Sequence, residues 1–144
     1  MGLNGERQPP LATAREELEA RCIQEEPPRC QAACPARVDV RGMCEALAKG
    51  NPDEALKLLR KSVPFPEILC RICDEPCGPA CLRGESGEPV RIRMLERAAV
   101  EYGREGPSRR PLIRKKQRAL VAGGGLAGLT AAKEFVVGGD GGQG

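Results

Sequence analysis

Two stretches, RCIQEEPPRCQAACP at residues 21–35 and CRICDEPCGPAC at residues 70–81, hold all but one of the eight cysteines of this chain. The spacings are C-x7-C-x3-C-P for Cys22, Cys30 and Cys34, and C-x2-C-x3-C-x3-C for Cys70, Cys73, Cys77 and Cys81. An iron–sulfur cubane needs four ligands, usually thiolates, on loops whose backbone amides are free to bond the sulfides. A Cys-Pro step suits such a loop, because proline ends it without adding an amide donor. Each run looks incomplete or overfull alone, which points to ligands shared between the two.

Three other uses of cysteine compete with this one. A structural zinc site can be built from four thiolates, which the absence of histidine permits. It would be expected to show paired C-x2-C knuckles, and only Cys70/Cys73 supplies one. A disulfide scaffold requires an oxidising compartment. Cys44 lies outside both runs on an apolar helix face, where a buried, unligated thiol is the plain reading.

Composition narrows the choice. The 144 residues suffice for one domain with at most an appendage, and the aromatics are only Phe65, Tyr102 and Phe135. With so few of the side chains that dominate buried area, the fold needs support beyond an apolar core. The start, MGLNGERQPP, has no apolar signal-peptide core, and no stretch reaches 18 apolar residues, so no membrane span is expected. A reducing cytoplasm follows as the expected location, where clustered cysteines more often bind metal than form disulfides. The net charge of +3 owes much to SRRPLIRKKQR, residues 108–118. That run lacks the interleaved aromatics on which bases stack, so it reads as a solvated linker, with no nucleic-acid partner.

The segments around the cysteines read as helices. ATAREELEAR, residues 12–21, leads into Cys22, and a proline-bearing loop follows. Asp39 can cap a helix through about Lys49, with Val40, Met43, Cys44 and Leu47 on one face and Gly50 as its stop. Asn51 caps the next, with Pro52 in its first turn and Ala55, Leu56, Leu58 and Leu59 on its apolar side. VPFPEIL reads as a rigid approach to the second run, which holds too many turn-formers to be a regular element. A last helix beginning near Pro89 would turn Ile92, Leu95, Ala99 and Tyr102 inward. The fold class is therefore mainly α, a small helical domain with two cysteine loops over residues 1–102, then a basic linker over 103–117.

CIQEEPPRCQAACPARVDVR, GNPDEALKLL and PFPEILCRICDEPCGPACLRGESGEPVRIRMLER, taken in this order, resemble the N-terminal iron–sulfur domain of the glutamate synthase small subunit. Dihydropyrimidine dehydrogenase carries a similar domain. The resemblance covers roughly residues 20–102, and its ordered motifs are far more specific than any single cysteine pair. It implies a helical domain holding two [4Fe–4S] clusters beside a flavin domain. Cys22, Cys30 and Cys81 would hold one cluster. Cys34, Cys73 and Cys77 would hold the other, with a carboxylate from the last helix, here Glu96, as its fourth ligand. The family's first loop reads C-x2-C-x4-C-x3-C-P, so its second cysteine falls on Glu25, which would ligate iron through oxygen or leave the first cluster labile or absent. Cys70 stands at a spacing the family does not clearly require.

Residues 118–144 change character. VAGGGLAGL, residues 121–129, contains Gly123, Gly125 and Gly128 as G-x-G-x-x-G between an apolar strand, residues 118–122, and a helix. That context is what a dinucleotide fingerprint requires, with pyrophosphate at the helix N-terminus. In the resembling family a flavin-binding domain begins at this place. A βαβ unit needs about 30 residues, with an acidic ribose-binding residue about 20 past the glycines. Asp140 instead lies in the glycine tail GGDGGQG. This stretch is therefore expected to be an incomplete start of that domain, poorly packed and unable to hold FAD without a longer or second chain. The function expected from all of this is an electron-transfer module of an NAD(P)H- and FAD-dependent oxidoreductase, working with a flavin chain or a catalytic partner subunit. The rival expectations are a zinc-stabilised, non-catalytic interaction domain and an inactive truncated relic.

Overall fold

In a computed structural model that describes residues 11–104 and 118–137, the described residues form seven α-helices, one 3-10 turn and no strand. The helices are α1 (Leu11–Gln24), α2 (Arg29–Ala33), α3 (Val40–Ala48), α4 (Pro52–Ser62), α5 (Pro66–Ile72), α6 (Ile92–Tyr102) and α7 (Leu126–Val137), and the 3-10 turn is Leu82–Glu85. The chain divides into two units, Met1–Arg104 and Glu105–Gly144.

Side chains and glycine set the start and stop of α3. The Asp39 carboxylate accepts a hydrogen bond from the Gly42 N–H at 3.0 Å, satisfying one of the free amides of the first turn. At the other end the Gly50 N–H reaches the Leu47 carbonyl and the Asn51 N–H the Ala46 carbonyl, both at 2.9 Å. This is a Schellman closure, and it needs the left-handed φ of +70° that Gly50 adopts. Asn51 then caps α4 through the Glu54 N–H at 3.1 Å, with Pro52 at the first helical position. One tripeptide, Gly50 to Pro52, thus stops one helix and starts its antiparallel neighbour.

The core of the first unit lies between α3, α4 and α6, with α5 packed on α6. Met43, Ala55, Leu59, Ile92 and Ala99 are fully or almost fully buried there. Each larger aliphatic contributes about 1.5–3 kcal/mol. Cys30, Cys70 and Cys77 belong to the same core, and Cys34 and Cys44 pack against it, so cysteine takes the place that aromatic residues hold in most small domains.

Several elements differ from the sequence reading. α1 runs past Cys22 to Gln24, and a short α2 carries Cys30, so the first cysteines sit on helices rather than in an open loop. VPFPEIL is not merely an approach. α5 begins at Pro66, where the missing N–H costs nothing, and extends through Cys70. Phe65, restricted by the proline after it, stays outside that helix in the left-handed region at φ +51°. Tyr102 is 68% exposed rather than inward, because α6 ends there and its phenol remains in water. The inward place one and a half turns earlier is filled by Glu96, 7% exposed.

In the second unit residues 118–124 have no regular structure, and the expected strand at 118–122 is not formed. A lone strand has no ladder to join, so nothing stabilises extended pairing. The expected helix is present as α7. Residues 105–117 of the expected linker, and Asp140 with the glycine tail, lie outside the described residues.

Gly103 closes the first unit at a point of near contact. A Cβ there would lie 2.4 Å from the Ala99 carbonyl oxygen, 2.7 Å from that of Pro52 and 2.8 Å from the Leu56 Cβ. Two of these neighbours are backbone and cannot yield. Gly103→Ala should lower stability by about 1–3 kcal/mol in urea unfolding. Gly50→Ala has nothing within 4 Å and should lose only about 1–2 kcal/mol through left-handed strain. Equal stability of Gly103→Ala and the parent chain would refute the packing at the α4–α6 contact.

Candidate metal centre

The sequence reading assigns the thiols of the first unit to two groups. In the first, Cys22 comes from the last turns of α1, Cys30 from α2 and Cys81 from the residue that precedes the 3-10 turn. Burial pushes the Cys30 thiol above its ordinary range, and the charges of Cys22 and Cys81 push the same way. Cys22 and Cys81 also line a cavity of about 300 Å³. The Glu85 carboxylate ties these elements by accepting from Arg21 at 3.2 Å and from Arg29 at 3.4 Å. These ion pairs are exposed and each is worth at most about 1 kcal/mol, so they orient the segments more than they stabilise them.

Glu25 lies close in sequence to this group but has another partner. Its carboxylate accepts from Arg29 Nε at 3.2 Å, an i to i+4 pair across the break between α1 and α2. Arg41, from α3, reaches the same break. Its guanidinium donates to the Ile23 carbonyl at 2.8 Å and to the Glu25 carbonyl, and it pairs with the Glu26 carboxylate at 3.1 Å. α3 is thereby anchored to the chain immediately after Cys22. Cys44 follows Arg41 by one helical turn, and the sequence reading treated it as an inert core thiol. Burial raises the Cys44 thiol, and the charges of Cys30, Cys81 and Cys22 add to the effect.

The second expected group, Cys34, Cys73, Cys77 and Glu96, draws on four separate segments. Cys34 and Cys73 are the residues at which α2 and α5 end. Cys77 is buried in the turn that follows, and Glu96 enters from α6. Burial and then the Glu96 charge push Cys77 up to about 12, with Cys34 a smaller contributor. Cys70 is pushed up to about 12 as well, first by burial and then by Glu96, to whose carboxylate its thiol donates a hydrogen bond. Burial also raises Glu96 itself, while the Cys70 bond opposes the rise. Cys70 and Cys77 are therefore protonated at neutral pH unless a metal displaces the proton. The loop between them supplies directed amides. The Glu75 N–H points at Cys73 Sγ at 3.3 Å, and the Gly78, Cys81 and Gly84 amides close successive turns. All eight cysteines are free thiols.

The glycine turn belongs to the second unit. Gly123 takes φ +114°, a conformation open to glycine. A Cβ on Gly128 would fall 2.0 Å from the Gly123 carbonyl oxygen, so the first turn of α7 can lie against that carbonyl only without a side chain. Around Gly125 the space is open to 4 Å. These are the roles of a tight turn, an open approach and a close contact that a dinucleotide-binding turn assigns to its three glycines.

The Arg41 anchor makes one expectation specific. Arg41→Ala should destabilise the first unit by about 1–3 kcal/mol, since it removes charged donors from two backbone carbonyls. It should also raise amide exchange at residues 21–29 far more than at residues 52–62. Uniform exchange across both segments would show that α3 does not hold the end of α1.

Comparison with known proteins supplies the context for this geometry. Residues 6–107 match the family model described as dihydropyrimidine dehydrogenase domain II, 4Fe-4S cluster. The chain is 32% identical over 106 residues to the NADPH-Fe(3+) oxidoreductase subunit beta of Geobacter sulfurreducens, covering 72% of this chain and 16% of that protein. It is 34% identical over 121 residues to glutamate synthase [NADH] of Schizosaccharomyces pombe, covering 81% of this chain and 6% of that protein. With the glutamate synthase [NADPH] small chain of Bacillus subtilis it shares 30% identity over 128 residues, 81% of this chain and 26% of that one. The chain thus spans about a quarter or less of the length of these relatives. Among the described residues no helix is long and apolar enough to cross a membrane. The match over residues 6–107, on the segment that gathers both thiol groups, establishes that this chain belongs to the dihydropyrimidine dehydrogenase domain II family of 4Fe-4S cluster domains.

Proposed function

We propose that this chain is the electron-transfer module of an NAD(P)H-dependent oxidoreductase and carries electrons between a flavin and a partner subunit. The observation that carries the reading is the match of residues 6–107 to a 4Fe-4S cluster family, in which Cys22, Cys30 and Cys81 would hold one cluster and Cys34, Cys73, Cys77 and Glu96 the other. The chemistry of these donors suits [4Fe–4S] clusters, since they are mostly soft thiolates and are half-buried or buried. Bound clusters would supply one-electron steps. The chain's own residues would hold them at fixed positions and set their potentials through burial and nearby charge. A zinc site is the weaker reading, since only Cys70/Cys73 supplies the C-x2-C knuckle that such a site would be expected to show in pairs.

Relatives named as subunits of oxidoreductases support a partner subunit for this chain. The eight free thiols suit a reducing cytoplasm. The turn of Gly123, Gly125 and Gly128 supports a flavin dinucleotide lying next in the electron path, held by a complete domain in a longer chain or in the partner.

Anaerobic purification tests the reading. The chain should be brown, absorb broadly near ~400 nm and carry about eight iron and eight sulfide. Glu96→Ala should lower the iron by about half or shift the signal of one cluster, whereas a colourless protein with stoichiometric zinc would overturn the proposal.

A further inference from the structure

Ile68 and Ile72 lie one turn apart on α5 and are 54% and 66% exposed, while Cys70, between them in sequence, is buried in the core. Single apolar residues in water are ordinary, but these two adjoin and are bordered by unpaired positive charge. We infer that this face of α5 is a docking site for an acidic electron-carrier protein that the chain meets transiently. The inference rests on the electron-transfer reading above and adds to it the place of docking and the charge of the protein that docks.

Charge identifies the occupant. Arg71 shares the exposed side of α5, and its Nε donates to the Glu67 carbonyl of its own helix at 3.2 Å. Arg93, from the first turn of α6, reaches across to the Arg71 carbonyl at 3.3 Å, which sets a second guanidinium at the end of the isoleucine stripe. Neither cation forms an ion pair among the described residues. The neighbouring carboxylates are engaged elsewhere, Glu67 by Arg60 and Glu75 by the Arg93 N–H at 3.3 Å, and exposed Asp74 is outnumbered by the two guanidinium groups. A protein surface with carboxylates around an apolar centre complements this face, and charge pairs of that kind speed encounter more than they prolong the complex.

Size and position set the kind of contact. Two isoleucines make an apolar centre far smaller than that of a permanent subunit interface, and small, weak interfaces are typical of electron-transfer encounters. α5 ends at Cys73, a half-buried residue that directly follows Ile72. A protein seated on this face would therefore stand within about one helix width of a thiol assigned to the second cluster.

Two purified probes of opposite charge test the inference on the anaerobically purified full chain: flavodoxin, a small acidic electron carrier, and cytochrome c, a basic one. Flavodoxin at low salt should slow amide exchange at residues 66–73 and 92–97. Its affinity should fall about tenfold in the double variant Arg71→Glu, Arg93→Glu, and by a similar factor for the parent chain at about 0.5 M salt. Ile68→Ser should weaken it as well, with iron content and helical circular dichroism unchanged. Cytochrome c should leave these amides unprotected in the parent chain. Equal affinity of the parent and charge-reversed chains for flavodoxin, protection confined to other segments, or no flavodoxin binding would overturn the inference and leave the electron-transfer reading standing. A parent chain without iron would instead remove that reading.

Discussion

The first unit depends on packing cysteines from two segments, separated in sequence by α3 and α4, into one core, where Cys30, Cys70 and Cys77 are buried together. Apolar burial alone gives this unit a modest core, with Met43, Leu59 and Ile92 as its largest fully buried side chains. Smaller aliphatic residues, the buried cysteines Cys30, Cys70 and Cys77, and one carboxyl group, Glu96, make up the rest. Such an interior is poorly stabilised when empty, because a buried carboxylate is costly and a thiol is a weak hydrogen-bond partner. In the proposed reading, cluster binding then contributes to folding in the way that a structural metal does in other small domains. The scarcity of aromatic residues and the abundance of cysteine are two sides of one design.

α3 and α4 serve that constraint as a rigid spacer. The Asp39 cap, the Gly50 closure and the Asn51 cap fix both helices with local interactions, each worth about 1 kcal/mol. The pair can therefore form without waiting for distant contacts. Once formed, it gives α6 a surface to pack on, and α6 carries Glu96 inward while α5 packs on α6 and places Cys70 and Cys73. Arg41 links the other end of the spacer to the end of α1. The positions of the thiols thus follow from helix caps and one arginine rather than from any direct bond between cysteines.

The parts of this fold legible in the sequence were those written in local chemistry. Asp39, Gly50, Asn51 and Pro52 each state a helix boundary through a hydrogen bond or a backbone angle, and all of these boundaries stand within a residue or so. The family membership was legible for a similar reason, since ordered cysteine and proline motifs survive in the sequence itself. What could not be read locally was α5, where two prolines suggested an irregular approach but the second one begins a helix. Tyr102 and Glu96 show the same limit. Both lie on one amphipathic helix, and only the tertiary position of α6 decides that the tyrosine meets water and the glutamate meets Cys70. Cys44 was read as an unligated thiol because an apolar helix face explains a cysteine without help, and it does pack against the core that contains Cys30.

The short helix α2 shows how neighbouring cysteines can serve separate sites. Cys30 and Cys34 are four residues apart, a spacing that places side chains on the same face of a continuous helix. Here the helix ends between them. Cys34 is its C-terminal cap, with φ −76° and ψ 122°, so the chain becomes extended immediately after it. The Cys34 N–H still bonds the Cys30 carbonyl at 3.2 Å, and Pro35 then excludes further helix. In the proposed arrangement Cys30 would serve the first cluster and Cys34 the second, so that one turn of backbone would separate a ligand of each. The Cys-Pro step would then do more than end a loop, because Pro35 excludes further helix and turns the chain away directly after the second of these two thiols.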